Sequence, residues 1–167
     1  SRGGFMPGQL DAIHKLIKER VPTGKDIHGL PKDAPILHDR ARSTWLTRQI
    51  TARTARQLGT LGGGNHFIEV LHDEDDGVWI MLHSGSRHIG KVTAEHYNEL
   101  AKEQMKARGV KAPNADLNHL LIDSAEGRDY LADMTWCQGY AAANRRTMLE
   151  AVSAVLEEVT GRGKDQI

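Results

Sequence analysis

Two short apolar segments, residues 65–71 and 78–82, lie either side of Asp73-Glu74-Asp75-Asp76-Gly77. A polar run of that kind between apolar stretches predicts the turn of a β-hairpin. The hairpin constrains everything around it, because two strands alone are marginal in water and need helices packed on them. The flanking sequence supplies helical patterns. Residues 7–21 carry Leu10, Ile13, Leu16 and Ile17 at helical spacing and end at Pro22-Thr23-Gly24. Residues 22–38 hold three prolines and two glycines and predict a surface loop. Residues 40–58 contain neither Pro nor Gly and predict a second helix, stopped by Gly59. A third helix is expected from residue 86 or 87 to 108, with Ile89, Val92, His96/Tyr97, Leu100 and Met105 as its apolar stripe. Residues 110–123 are irregular, with a short extended piece at 120–122. A last helix is expected over residues 124–159, broken or bent near Gly139. The fold class expected is mixed α+β, a single domain over residues 1–167 with a β-hairpin or sheet core packed by long helices.

The hairpin also places chemistry. With a loop of residues 73–76, His72 pairs with Gly77, and His66 then faces His83 across the strands. Directly opposed Cβ atoms lie about 5 Å apart, close enough for two imidazoles to share one metal ion. The same register puts Ile68–Met81 and Val70–Trp79 behind them as an apolar floor, and Phe67–Leu82, Glu69–Ile80 and Leu71–Val78 on the other face. A slip of one residue would turn one histidine away. A pair of histidines on strands is more often a hydrogen-bonded structural pair than a set of metal ligands. On one side, Gly62-Gly63-Gly64 lets backbone N–H groups approach an anion, or simply makes a tight loop. On the other, Ser84-Gly85-Ser86-Arg87 offers hydroxyls and a guanidinium where a helix begins. That is a setting for phosphate or for ordinary N-capping.

Charge is uneven although the formal net charge is zero. Residues 1–60 hold 11 Lys/Arg against 5 Asp/Glu, and the remainder holds 11 against 17. Between residues 40 and 68 stand Arg40, Arg42, Arg48, Arg53 and Arg56 with no carboxylate. This is either a surface for a polyanion or a solvated helix face. No apolar run approaches the roughly 18 residues that span a membrane. Ser1-Arg2-Gly3-Gly4-Phe5 lacks the apolar core of a signal peptide, and the lone Cys137 excludes an internal disulfide. A cytoplasmic setting is expected.

Gly59-Thr60-Leu61-Gly62-Gly63-Gly64-Asn65-His66-Phe67-Ile68-Glu69 and His83-Ser84-Gly85-Ser86-Arg87 resemble the signature motifs of the RtcB RNA ligases. Weaker similarity runs over most of the chain, including residues 127–134 and 141–148. The resemblance implies a GTP- and Mn2+-dependent ligase of tRNA splicing and RNA repair. Such enzymes join an RNA 3′-phosphate or 2′,3′-cyclic phosphate to a 5′-hydroxyl by way of a histidine-bound GMP. It implies manganese ligation by His66 and His83, a GMP phosphate contact from Asn65, and guanine contacts from Phe67 and Glu69. It also implies phosphate or RNA binding by Ser86 and Arg87.

The family's Asp and Cys ligands are expected upstream of these motifs. A third histidine, in a His-Asn-Tyr context, and the guanylylated histidine are expected downstream, near or beyond Gln166-Ile167. Cys137 and His119 match neither, Cys137 being expected as a small core residue. His88 stands where many relatives carry Gly or Asn, as a solvent-facing residue or a further phosphate contact. The chain is thus expected to be a central portion, incomplete alone, and complemented by another segment or by self-association through open strand edges. A non-catalytic RNA-binding module and a metal-dependent RNA phosphoesterase are the alternatives.

Overall fold

A computed structural model of the chain describes residues 5–75, 77–114 and 117–161. Asp76 of the expected turn, the first four residues and the last six lie outside them. Among the described residues, six helices and two strands follow in the order α1 (Gln9–Arg20), α2 (Pro35–His38), α3 (Thr44–Gln49), α4 (Ala52–Gln57), β1 (Phe67–His72), β2 (Val78–His83), α5 (Arg87–Ala107) and α6 (Ala125–Thr160). The mixed α+β class is as expected, and it is dominated by helix.

The helix α6 is the element on which the others are laid. Ser124 starts it, its Oγ accepting from Gly127 N at 3.0 Å, and Gly161 ends it in the left-handed conformation at φ 69°. It runs unbroken for 36 residues. The break expected as one outcome at Gly139 does not occur, and that glycine serves contact. A Cβ there would stand 2.8 Å from Ile36 Cδ1, so the missing side chain is where α2 rests. Two apolar clusters form along α6. One joins Met148, Val152, Val155 and Leu156 to Ile13 and Val21, with Ile68, Val70, Val78, Ile80 and Leu82 of the hairpin packed on it. The other joins Trp136, Cys137 and Tyr140 to Leu46, Leu58 and Ile89. Cys137 is the buried core residue expected, and burial pushes its thiol pKa up.

The stripe that α5 buries is Ile89, Thr93, Tyr97, Ala101 and Met105, an i, i+4 series. It keeps three of the expected positions; Val92 and Leu100 are only half-buried. Residues 40–58 are two helices rather than one. Thr51 Oγ1 accepts from Arg53 N at 3.2 Å, and Thr54 Oγ1 accepts from Thr51 N at 3.2 Å, a reciprocal cap that restarts the helix after an extended Ile50. Ser43 begins α3, and its N–H and hydroxyl both donate to the fully buried Asp133, at 2.7 and 2.6 Å. Tyr97 Oη donates to the same side chain at 2.7 Å, so one buried carboxyl group ties α3 and α5 to α6. Residues 120–122 form no strand.

The strand register differs from the expected one by a residue. Phe67 pairs with His83, Ile68 with Leu82, Glu69 with Met81, Val70 with Ile80, Leu71 with Trp79 and His72 with Val78. The cause lies in the turn. Asp73 Oδ1 accepts from Asp75 N at 3.0 Å and Gly77 N at 2.7 Å, while Asp73 N donates to Gly77 O at 3.0 Å, which closes the loop over residues 73–77. Ile68 and Val70 therefore face the core opposite Leu82 and Ile80. Met81 and Trp79, expected behind the histidines, turn outward, with Trp79 62% exposed. Phe67, Glu69, Leu71, Trp79, Met81 and His83 share that outer face.

Candidate metal and nucleotide site

The glycine-rich loop is stitched to the segment that follows α1. Leu61 N donates to Pro22 O at 2.9 Å, Gly24 N donates to Gly62 O at 2.8 Å, and Thr23 bridges Gly62 in parallel. Gly62 takes φ +90°, and a Cβ there would sit 1.6 Å from Arg87 Nη1. The space beside this glycine is filled by a guanidinium of the same chain. Gly59 takes φ +76° against Thr147, and its carbonyl lies 3.1 Å from His28 Nε2. Burial holds the His28 pKa below its ordinary value, which favours the neutral ring, with Nε2–H as donor to that carbonyl.

His66 stands one residue before β1 and His83 is the last residue of β2. The ladder does not oppose them, yet their ring centroids are 5.6 Å apart at an interplanar angle of 67°. His66 Nδ1 lies 2.9 Å from Leu61 O. Arg87 Nη1, a donor, stands farther off, 3.5 Å from the same Nδ1. The shorter contact is to a carbonyl, which only accepts, so in the neutral ring Nδ1 carries the proton and Nε2 the lone pair. An imidazole bound at about 2.0–2.1 Å has its centroid about 3 Å from the ion. Two rings 5.6 Å apart can thus share one ion. Phe67 stacks on His83 at 5.6 Å and 23°, and Glu69 lies on the same outer face. Asn65 is exposed in the turn before His66. The site residues expected from sequence are gathered at one end of the hairpin. Among the described residues, no group of three or more His, Cys, Asp or Glu side chains is placed to hold an ion. The pair offers two nitrogen ligands and leaves the rest of a shell to other donors.

Arg87 and Ser86, expected to contact phosphate or RNA, stand at the start of α5, where the Arg87 side chain turns to the glycine loop. Arg87 begins α5 at φ 59°. Its Nε donates to Thr60 Oγ1 at 3.1 Å, Nη1 to Leu61 O at 3.3 Å and Nη2 to Gly24 O at 3.4 Å. Burial lowers its pKa. The guanidinium is folded under the glycine loop as a staple. Ser86 occupies the cap position without a side-chain capping bond, and its Oγ lies where a Cβ on Gly90 would be 1.8 Å away. His88 is exposed. Four of the five arginines noted in the sequence, Arg40, Arg48, Arg53 and Arg56, are exposed. Arg42 is not; its Cζ lies 5.5 Å from the Trp136 ring centroid, and its Nε and Nη1 are buried without a hydrogen-bond partner.

Three residues of the site were not singled out individually from sequence. Ser84 Oγ donates to Leu61 O at 2.8 Å, Arg145 Nη1 donates to Ser84 O at 3.2 Å, and the fully buried Asn144 reaches both loops. A serine beside His83 and an Asn-Arg pair inside a helix carry no local pattern that announces such roles.

A family model described as tRNA-splicing ligase RtcB matches residues 10–167. RNA-splicing ligase RtcB of Escherichia coli (strain K12) is 34% identical over 171 residues, covering 93% of this chain and 42% of that protein. tRNA-splicing ligase RtcB of Archaeoglobus fulgidus is 32% identical over 76% of this chain and 29% of its own length. That of Methanocaldococcus jannaschii is 30% identical over 89% of this chain and 17% of its own. The chain thus spans about two fifths or less of the length of these relatives, and it belongs to the RtcB family.

Proposed function

We propose that this chain supplies two metal-binding histidines and the guanine-nucleotide contacts of a GTP- and Mn2+-dependent RNA ligase, one that joins 3′-phosphate or 2′,3′-cyclic phosphate ends to 5′-hydroxyl ends. The observation that carries the reading is the His66–His83 pair, 5.6 Å between ring centroids, with His66 Nδ1 tied to Leu61 O so that Nε2 is the free nitrogen. When bound, the ion would neutralise phosphate charge and align attack on phosphorus. The chain's own residues have separate tasks. His66 and His83 hold the ion's position. Phe67, stacked on His83, offers a flat apolar wall to a base. Glu69, on the same face, suits the N1 and N2 protons of guanine and would reject adenine. Asn65 and the glycine loop lie beside the pair, where a phosphate would sit. RNA is the partner, approached through the exposed Arg40, Arg48, Arg53 and Arg56. The reading treats the chain as a central portion of the ligase, working in the cytoplasm, with oxygen and sulfur ligands and the guanylylated histidine contributed by other segments of the enzyme or by association. No helix among the described residues is long and apolar enough to cross a membrane.

The test is Mn2+ binding followed by electron paramagnetic resonance, then GMP binding in the presence of Mn2+. His66→Ala and His83→Ala should each weaken Mn2+ binding about tenfold or more. Glu69→Gln should weaken GMP more than AMP. Wild-type Mn2+ affinity in both histidine variants would overturn the reading.

A further inference from the structure

The strand ladder stops at Phe67 and His83, so it does not set His66 against His83. Something else must, and the hydrogen bonds of Asn144 supply it. This side chain is fully buried on α6, more than eighty residues along the chain from the glycine loop. Its Oδ1 accepts from Gly59 N at 2.7 Å and Thr60 N at 3.1 Å. Its Nδ2 donates to Thr60 O at 3.2 Å, Gly85 O at 3.1 Å and Ser84 Oγ at 3.3 Å. Two backbone donors on one side and two carbonyls on the other leave one orientation for the amide. A carboxylate would lack the donors and a lysine the acceptors.

One amide therefore bridges the two segments that present the imidazoles. Residues 59–60 lead into the loop that ends at His66, and residues 84–85 follow His83 directly. The connection continues to the ring. Ser84 Oγ, receiving from Asn144, donates to Leu61 O at 2.8 Å, and Leu61 O also accepts His66 Nδ1–H at 2.9 Å. Gly59 permits the approach, since its φ of +76° and its closeness to Thr147 both exclude a side chain.

We propose that Asn144 is the positioning residue of the histidine pair. Acting through Ser84 and the Leu61 carbonyl, it fixes the gap between the rings and holds His66 in the Nδ1–H tautomer with Nε2 toward the ion. The proposal rests on the reading of His66 and His83 as ion-holding residues. Its first measurement, however, needs no ion.

The test uses the whole 15N-labelled chain at about pH 8.5, where ordinary imidazoles are neutral. Multiple-bond proton–nitrogen correlation spectra should show His66 protonated on Nδ1 in the wild type. Asn144→Asp keeps the size and the acceptor while removing both donors. It should mix the two His66 tautomers, weaken the His66–His83 ring contacts seen by nuclear Overhauser effects, and lower Mn2+ affinity about tenfold. Ser84→Ala should mix the tautomers in the same way, Ser84→Thr should restore the wild-type spectrum, and this pair decides the matter if Asn144→Asp does not fold. Met148→Ala, one turn along α6, controls for destabilisation alone and should leave the His66 spectrum unchanged. A wild-type His66 tautomer and wild-type ring contacts in Ser84→Ala, or in folded Asn144→Asp, would overturn the proposal. So would an equal disturbance in Met148→Ala. A His66 spectrum that responds as expected while His66→Ala leaves Mn2+ binding intact would refute the metal reading and leave the positioning role standing.

Discussion

At the scale of residues, the site is built from polar groups that satisfy one another. Leu61 O alone receives His66 Nδ1–H, Ser84 Oγ–H and Arg87 Nη1–H. Arg87 is the most constrained member. It holds a left-handed φ of 59° and lies where any side chain on Gly62 would have to go. Gly62→Ala should destabilise the fold by about 2 kcal/mol or more in chemical denaturation, from the left-handed backbone and the displaced guanidinium together. A change below about 0.5 kcal/mol would mean that the staple contributes little. The motifs around His66 and His83 were legible in the sequence because chemistry concentrates in contiguous residues there. Arg87 was legible as a cation, but its hold on the loop carbonyls was not. Its expected place, facing a phosphate, followed from the general charge preference of helix starts, whereas the left-handed turn at residue 87 sends the side chain back to the loop carbonyls.

The elements show the same division between what is local and what is not. Both long helices were expected close to their observed bounds, α5 with an apolar stripe, and the hairpin came from its polar turn. The turn's length was not, and one residue of loop decided which side chains face outward. Asp73 makes that decision by accepting from Gly77 N and Asp75 N, and it also accepts from the Trp79 indole. The Trp79 bond first, then the backbone bonds, hold the Asp73 pKa below its ordinary 3.8. The folded chain thus takes up this proton at lower pH than the unfolded chain. The carboxylate's support of the turn is whole above pH 3.8 and is lost as pH falls through the lower folded value. The Trp79 indole N–H resonance should therefore shift only below that ordinary value. Asp73→Asn should remove the titration and speed amide exchange at Gly77. A Trp79 signal insensitive to acid, or unchanged in Asp73→Asn, would argue against this account of the register. The division of residues 40–58 into two helices was equally hidden, since Thr51 is a tolerable helix residue until its hydroxyl is seen capping Arg53.

For the whole molecule, α6 carries both apolar clusters, the α2 contact at Gly139 and Asn144 on one unbroken rod of 36 residues, about 54 Å long. Met148→Ala, in the cluster under the hairpin, should cost about 2–5 kcal/mol. If the rod couples the clusters, fluorescence of the buried Trp136 in the other cluster should lose its native value at the same lowered midpoint as helical circular dichroism. Separate midpoints would mean that the clusters unfold independently. None of this sharing could be read from a linear pattern, because it depends on which helix faces recur to the same partner after dozens of residues. The buried amide has a last consequence for adaptation. Loops around a binding site are commonly the softest part of a protein, bending to suit what arrives. Here the backbone on either side of the histidines is bolted to the longest helix. A visitor meets backbone anchored at residues 59–60 and 84–85, and a relative that is to accept a different guest is expected to exchange side chains along the rim rather than reshape those two anchors.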